Sequence, residues 1–219
     1  MVAEGTLALS LSKPGNFNFQ PGQYVNLQIT DSVGKSLTHC LSLASAPHEQ
    51  GIWLATRISD SDYKKRLNEL AVGDEVKIVG PLGFFTLPTD ESQKIVILTG
   101  GIGITPFLSM IRDAEKNSSS REIILFYANA NKARAAFLEE LQDVKLANYK
   151  LVAVMSDEES WNGEKGRINA DLLKKYLEDL NAVTYYIAGP PAMTTAMNDL
   201  LVNECVLESK IKIEEFPGY

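Results

Sequence analysis

An almost continuous apolar run at residues 94–98, followed at once by a glycine-rich loop, constrains the fold more than any other feature. A short run of Ile, Val and Leu is typical of a strand buried on both faces of a parallel sheet. After the loop at residues 100–106, an apolar periodic stretch predicts a helix over 106–116. Strand, glycine loop and helix together predict an α/β nucleotide-binding unit, because a helix start offers free N–H groups and a positive dipole end to a phosphate.

The glycine loop matches only part of the G-x-G-x-x-G dinucleotide-binding pattern. Gly101 and Gly103 fit, but the third position is Pro106. Thr105 is suited to cap the helix, and Pro106 suits its first turn. A tight turn that binds no ligand would explain the same residues, so the loop alone leaves both interpretations open.

The rest of the C-terminal part repeats the alternation of strand and helix. Strands are predicted at 122–127, 150–155, 184–188 and 210–215, and helices at 133–143, 170–178 and 191–205. This alternation predicts a parallel sheet covered on both faces. A second loop, Gly189-Pro190-Pro191, follows a strand at the sheet edge where such folds bind ligands. Gly189 has no side chain to block a flat ring, although a plain connection remains the alternative.

Residues 1–90 have a different pattern, with apolar side chains at alternate positions. Strands are predicted at 24–29, 40–45, 52–58, 75–79 and 84–87, with one helix at 62–70 and Pro/Gly turns between them. Many short strands with such turns predict an antiparallel barrel or sandwich. The polar segment 88–93 separates the two patterns, so the predicted domains are a β-barrel at 1–90 and an α/β domain at 91–219.

Composition argues against several classes of protein. The net charge is −7 and neither predicted domain is basic, so a nucleic-acid-binding surface is not expected. Two cysteines, Cys40 and Cys205, exclude an iron–sulfur cluster held by four cysteines of this chain. No apolar run approaches a membrane span, and the first residues lack a secretion-signal pattern, so we expect a cytoplasmic protein.

Five short motifs occur in a fixed order along the chain. They are His39-Cys40-Leu41-Ser42, Gly80-Pro81-Leu82-Gly83-Phe84, the loop at 100–106, Gly189-Pro190-Pro191 and Glu215-Phe216-Pro217-Gly218-Tyr219. In this order they resemble the ferredoxin–NADP reductase superfamily over nearly the whole chain. The resemblance implies an N-terminal antiparallel β-barrel that binds FAD and a C-terminal α/β domain that binds NAD(P)H.

The resemblance also implies roles for individual residues. Ser42 would lie near the reactive N5 atom of the flavin, and Phe216 and Tyr219 would approach the flavin or nicotinamide from the chain terminus. The candidate flavin-binding residues are His39, Cys40, Leu41, Ser42, Leu43, Ala44, Ser45, Ser59, Ser61 and Tyr63. The candidate nicotinamide-nucleotide-binding residues are Gly101, Gly103, Ile104, Thr105, Pro106, Asn129, Lys132, Arg134, Gly189, Pro190 and Met193. Purely structural roles remain open: Ser42 as a strand hydroxyl, Ser61 as a helix cap and Phe216 as a core residue.

Two departures from the family concern the flavin. His39 replaces an arginine, and histidine carries a positive charge only part of the time near neutral pH, whereas arginine is always charged. Leu41 replaces an aromatic residue, so one stacking surface is lost. These two changes predict weaker flavin binding than is usual in the family.

The segment after Tyr127 bears on the choice between NADH and NADPH. An acid at this strand end usually binds a ribose hydroxyl, whereas cations accommodate the extra phosphate of NADP. Residues 128–134 contain no acid but do contain Lys132 and Arg134, which favours NADPH. Arg167 is a second candidate phosphate contact. Solvated cations at a helix start would explain the same residues.

The resulting hypothesis is an FAD-dependent NAD(P)H oxidoreductase that passes electrons to a protein acceptor, such as a ferredoxin, flavodoxin or oxygenase component, or to a small molecule. The alternatives are an electron-transfer subunit of a larger redox complex and an NAD(P)H:flavin reductase that uses diffusible flavin. The identity of the acceptor and the oligomeric state cannot be read from the residues.

Overall fold

The computed structural model describes residues 2–31 and 33–216, so the candidate residue Tyr219 lies outside the described residues. The strands are β1 (Thr6–Ser12), β2 (Tyr24–Thr30), β3 (Ser36–Ser42), β4 (Gly51–Arg57), β5 (Lys77–Leu82), β6 (Ile95–Gly100), β7 (Ile123–Asn129), β8 (Tyr149–Met155), β9 (Glu164–Lys165), β10 (Thr184–Gly189) and β11 (Ile211–Glu215). The helices are α1 (Asp62–Asn68), α2 (Thr105–Lys116), α3 (Leu138–Gln142), α4 (Ala170–Tyr176) and α5 (Pro191–Asn203). The predicted fold class is confirmed, because antiparallel strands precede a parallel sheet with helices.

The N-terminal strands form two antiparallel sheets, one of β1 and β4 and one in the order β3-β2-β5. An isolated bridge joins Leu43 to Leu54. Alternate side chains of β2, namely Val25, Leu27 and Ile29, are buried in the core. The period-two pattern of the sequence therefore predicted correctly which face of β2 is buried.

The C-terminal sheet has six parallel strands in the order β11-β10-β6-β7-β8-β9. Every residue of β6 is buried, as expected for a central strand covered on both faces. A core of apolar side chains from β6, β7, β8 and β10 packs with residues of α4 and α5. The carboxyl ends of β6, β7 and β10 lie next to one another at one edge of this sheet.

Three predicted elements differ in the structure, and one observed strand was not predicted. The helix expected at 133–143 is interrupted, because Phe137 adopts a left-handed conformation at φ 59° between a 3₁₀ turn at Lys132–Arg134 and α3. Residues 84–87 do not form a strand. The strand expected at 40–45 is instead β3, which begins at Ser36 and ends at Ser42. β9 was not predicted, because a strand of two residues leaves no periodic signal in the sequence.

The chain divides into two compact units. The first, the N-terminal unit, contains the described residues of 2–87 together with Thr105–Asp113, and the second, the C-terminal unit, contains Pro88–Ile104 and residues 114–216. Within the first unit, Ser109 Oγ donates a hydrogen bond to Ser45 O at 2.6 Å. The domain boundary predicted at residues 90 and 91 stays a prediction.

Among the residues described, no helix has both the length and the apolar character needed to cross a bilayer.

Candidate functional site

The glycine loop after β6 folds as a 3₁₀ turn at Gly101–Ile104 that runs directly into α2 at Thr105. Thr105 therefore lies within the helical segment, not at a flanking cap position as expected. Tyr127 Oη lies 2.9 Å from Gly101 O and 3.0 Å from Ala136 O. This buried hydroxyl fixes the start of the turn against the end of β7.

The two predicted loops of the C-terminal unit meet at the carboxyl edge of the sheet. A Cβ atom on Gly103 would lie 2.4 Å from Ala188 O and 2.8 Å from the Cα atom of Gly189. Thr99 Oγ1 donates a hydrogen bond to Ala188 O at 2.8 Å. Only glycine at position 103 permits this approach, so the backbones of both loops lie close together at one site.

Gly189 and the residues around it form the other wall of this site. Gly189 has φ 156°, which favours glycine, and its carbonyl accepts a hydrogen bond from Phe216 N at 3.0 Å. The Met193 Sδ atom lies 3.2 Å from a Cβ placed on Gly189 and 2.7 Å from one placed on Gly100. Pro190 immediately precedes α5 and adopts an extended conformation. Gly189, Pro190, Met193 and Phe216 are thus near the glycine loop, as their predicted roles require.

Asn129 ends β7 at the same edge and has an unusual environment. Its side chain is only 9% exposed, yet neither its amide nitrogen nor its amide oxygen has a hydrogen-bond partner within the described part of the chain. Asn129 and Tyr127 share one face of the strand, because side chains alternate along it, and Tyr127 lies beside Gly101. Since buried polar groups are nearly always paired, the unpaired amide of Asn129 indicates a ligand at this edge.

Lys132 and Arg134 lie in the 3₁₀ turn that follows β7, and both are exposed. The Lys132 ammonium lies 3.7 Å from the Glu139 carboxylate. Its backbone N–H donates a hydrogen bond to Glu158 Oε2 at 2.6 Å. The structure thus places acids beside a segment in which the sequence alone has none.

Glu214 lies beside Ala188 in the register of β10 and β11. Its Oε2 atom is buried without a partner among the described residues, and burial raises the pKa of its carboxyl group to about 7. The predicted site residues did not include it, although a glutamate in the last strand of an α/β sheet is a signal that could have identified it. Glu214 is a proton-holding group close to the end of β10.

In the N-terminal unit, His39 is paired with Tyr63. The two rings meet edge to face, with centroids 5.2 Å apart. Burial, and then the positive charge of Lys64, lower the pKa of His39. Lys64 is 2% exposed, its ammonium donates to Thr56 Oγ1, and burial lowers its pKa to about 8. The lowered pKa favours the neutral form of His39, which therefore offers no permanent charge to a phosphate.

The segment from Leu41 to Ser45 uses most of its groups within the protein. Leu41 is 1% exposed and lies opposite Val25 in the core. The N–H groups of Leu43 and Ala44 donate to Gln23 O and Trp53 O at 2.9 and 2.8 Å. Ser42 and Ser45 are buried. A ligand here would meet little of the Leu41 side chain.

The second predicted flavin segment surrounds the start of α1. Ser61 caps this helix by accepting a hydrogen bond from Lys64 N at 3.3 Å, and Ser59 is exposed. Tyr63 is buried and donates to Leu27 O at 3.2 Å. The structural role that the sequence left open for Ser61 is thus observed, and its predicted phosphate contact stays a prediction.

The outward face of the β3-β2-β5 sheet carries Tyr24, which sequence reasoning did not single out, and the predicted residue Cys40. Tyr24 lies opposite Ser42, and its ring is 3.0 Å from a Cβ placed on Gly83. The next residue, Phe84, is 100% exposed. Cys40 is also exposed on this sheet, where its thiol donates to Asn26 Oδ1 at 2.9 Å. The Tyr24 ring beside Ser42 suits the face of a flat ring.

Comparison with known proteins places these observations in context. Residues 97–199 match the family model described as the oxidoreductase NAD-binding domain. The chain is 26% identical over 221 residues to the reductase component of propane 2-monooxygenase from Mycolicibacterium smegmatis, covering 96% of this chain and 63% of that protein. The chain therefore spans less than two thirds of the length of this relative.

Solved structures share the fold. The FAD/NAD-binding domain of nitric oxide dioxygenase from Vibrio cholerae superposes with a TM-score of 0.87 at 20% identity, covering 99% of this chain and 94% of that domain. A ferredoxin NADP+ reductase from Neisseria gonorrhoeae with bound FAD and NADP gives a TM-score of 0.84 at 19% identity, covering 96% of this chain and 92% of that one.

Proposed function

We propose that this chain is a member of the ferredoxin–NADP reductase superfamily and acts as a flavin-dependent oxidoreductase that takes hydride from NAD(P)H and passes electrons to a separate acceptor. The observation that carries the proposal is the close approach of the Gly103 and Gly189 loops at the carboxyl edge of the parallel sheet. Bare backbone at that edge is where α/β folds hold a dinucleotide.

The residues of the C-terminal unit fit a nicotinamide dinucleotide. Gly101, Gly103 and Ile104 present backbone at the helical turn, where a pyrophosphate finds N–H donors. Asn129 supplies a buried amide that still needs partners. Gly189 has no side chain to block a flat ring. The Met193 sulfur and the Phe216 backbone N–H lie next to Gly189.

The residues of the N-terminal unit fit the ring of a flavin better than its phosphates. Tyr24 presents aromatic surface beside Ser42, whose hydroxyl we assign to positioning near the flavin N5 atom, and Phe84 offers an exposed ring next to Gly83 in the chain. The lowered pKa of His39 disfavours its charged form, and the hydroxyl of Ser61 already caps α1. We keep FAD as the proposed flavin because the two structures with the same fold are an FAD/NAD-binding domain and a reductase with bound FAD.

When bound, NAD(P)H supplies a hydride and the flavin accepts it and can release its electrons singly. The chain contributes position and environment. The glycine loops would hold the pyrophosphate of the dinucleotide. Gly189 has no side chain, so it would not obstruct the nicotinamide ring. Glu214 holds a proton near the end of β10 up to a pH of about 7.

The direct test is to purify the chain, add FAD, and follow both the flavin spectrum and the reduction of an artificial dye by NADH and NADPH. We expect flavin bleaching under anaerobic conditions and dye reduction that depends on both components. A protein that neither bleaches flavin nor reduces the dye with either nucleotide would contradict the proposal.

A second candidate is a reductase that uses flavin as a diffusible substrate. The lowered pKa of His39 and the burial of Leu41 favour it, because both weaken the predicted anchor. Dialysis distinguishes the candidates: FAD that stays bound supports a flavoprotein, whereas FAD that is lost and restores activity with saturation kinetics supports the flavin reductase.

We propose an acceptor that is a separate protein, such as a ferredoxin, a flavodoxin or an oxygenase component, or a small molecule. The relative in Mycolicibacterium smegmatis is the reductase component of a larger system, which supports a protein acceptor and the reading as an electron-transfer subunit. Co-purification of the native chain and cell fractionation would test the partner and the cytoplasmic location that we also propose.

A further inference from the structure

The loop after β8 lies against the segment that follows β7. Because Asn129 and Met155 are paired in register, the two loops begin side by side. Ser156 N donates to Asn129 O at 3.0 Å, and Asp157 N donates to Ala130 O at 2.8 Å. Backbone hydrogen bonds therefore fix this loop in place, and they bring the next residue, Glu158, to the 3₁₀ turn at Lys132–Arg134.

The Glu158 carboxylate accepts a backbone hydrogen bond from that turn. Its Oε2 atom accepts from Lys132 N at 2.6 Å, a short charge-assisted hydrogen bond. Glu158 is half-buried, whereas its neighbours Asp157 and Glu159 are exposed. The Lys132 ammonium lies 3.7 Å from Glu139. Both the backbone donor and the cation of Lys132 are thus already directed toward carboxylates.

The unpaired amide of Asn129 points independently to a ligand at this position. It is nine-tenths buried and can both donate and accept, as neutral ribose hydroxyls require. A carboxylate beside such hydroxyls accepts their hydrogen bonds, but it repels a phosphate in the same position.

We infer that this site selects NADH over NADPH, and that Glu158 is the residue that disfavours the 2′-phosphate. The inference rests on the proposed function, because it concerns the same nucleotide site. It opposes the preference for NADPH that Lys132 and Arg134 suggest in the sequence, where the acid is 26 residues away from Lys132 and cannot be seen as a neighbour.

Calorimetric titration of the whole chain with ADP-ribose and with 2′-phospho-ADP-ribose tests the inference without any flavin. We expect ADP-ribose to bind at least about tenfold more tightly, and Glu158→Gln to reduce that ratio by about tenfold. Glu159→Gln is the matched control, since it removes the same charge one residue further on and should leave the ratio unchanged. The ratio of kcat/KM for NADH and NADPH should move in parallel.

Equal or tighter binding of 2′-phospho-ADP-ribose by the unmodified chain would overturn the inference while leaving the nucleotide site intact. The inference would also fail if Glu158→Gln left the ratio unchanged while Arg134→Ala weakened the binding of 2′-phospho-ADP-ribose alone, because that result would identify a phosphate contact at Arg134. If neither ligand binds, the proposed nucleotide site itself is wrong and this inference fails with it.

Discussion

The two regions that carry predicted ligand residues differ in how they offer contacts. At the edge of the parallel sheet, glycines bring two backbones together and the Asn129 amide has no partner among the described residues. In the N-terminal unit, Leu41, Tyr63 and the N–H groups of Leu43 and Ala44 serve the protein's own core and hydrogen bonds. The difference shows that the sheet edge leaves backbone and an amide available to a ligand, whereas the corresponding groups of the N-terminal unit are already used within the protein.

The largest expected effect is at the close approach of the two glycine loops. Gly103→Ala should weaken ADP-ribose binding by about a hundredfold, because its Cβ atom would displace Ala188 O, 2.4 Å away, and separate the loops. Calorimetry gives the affinity, and thermal melting shows whether the fold persists. Gly15→Ala is the control, because no atom lies within 4 Å of its Cβ position. An affinity unchanged in Gly103→Ala would remove the main argument for the site.

The next effect concerns the titration of Glu214, whose pKa rises to about 7 in the folded chain because of burial. The folded state then binds more protons than the unfolded state between the ordinary glutamate pKa and about 7, so stability falls as pH rises through this window. Glu214→Gln should abolish this fall and be more stable than the parent by about 2 kcal/mol at pH 8, with little difference near pH 4.5. Denaturant unfolding across this range measures it, and a difference independent of pH would contradict the assignment.

A smaller and opposite pair of effects is expected at Asn129. Asn129→Leu should raise the free energy of unfolding by about 1 kcal/mol, because it removes a buried amide without partners. The same change should weaken ADP-ribose binding by about tenfold. Loss of both stability and binding would show that the amide has a structural partner instead.

The smallest effect is expected at the exposed ring of Phe84 in the N-terminal unit. Phe84→Ser should leave the melting temperature unchanged, because the ring is 100% exposed, but weaken FAD binding by about threefold through lost stacking. Val72→Ser, at a residue that is 109% exposed, is the control. Equal FAD affinity in both variants would place the flavin elsewhere.

Much of the fold could be predicted from local patterns. The apolar run of β6 and the alternation in β2 each correspond to a real strand with the expected burial. Apolar periodicity failed to predict the structure where the backbone conformation of one residue ends a helix. Phe137 interrupts the helix expected at 133–143 in this way. The periodicity also failed for β9, because a strand of two residues leaves no periodic signal.

The sequence alone determined that a strand, a glycine loop and a helix follow one another after residue 94, because burial period and glycine placement are local properties. Only the tertiary structure decided that Leu41 belongs to the core, that the Asn129 amide finds no partner in residues 2–31 and 33–216, and that Glu158 lies at Lys132 N. Each of these depends on the register between strands, which sets neighbours that are far apart in the chain.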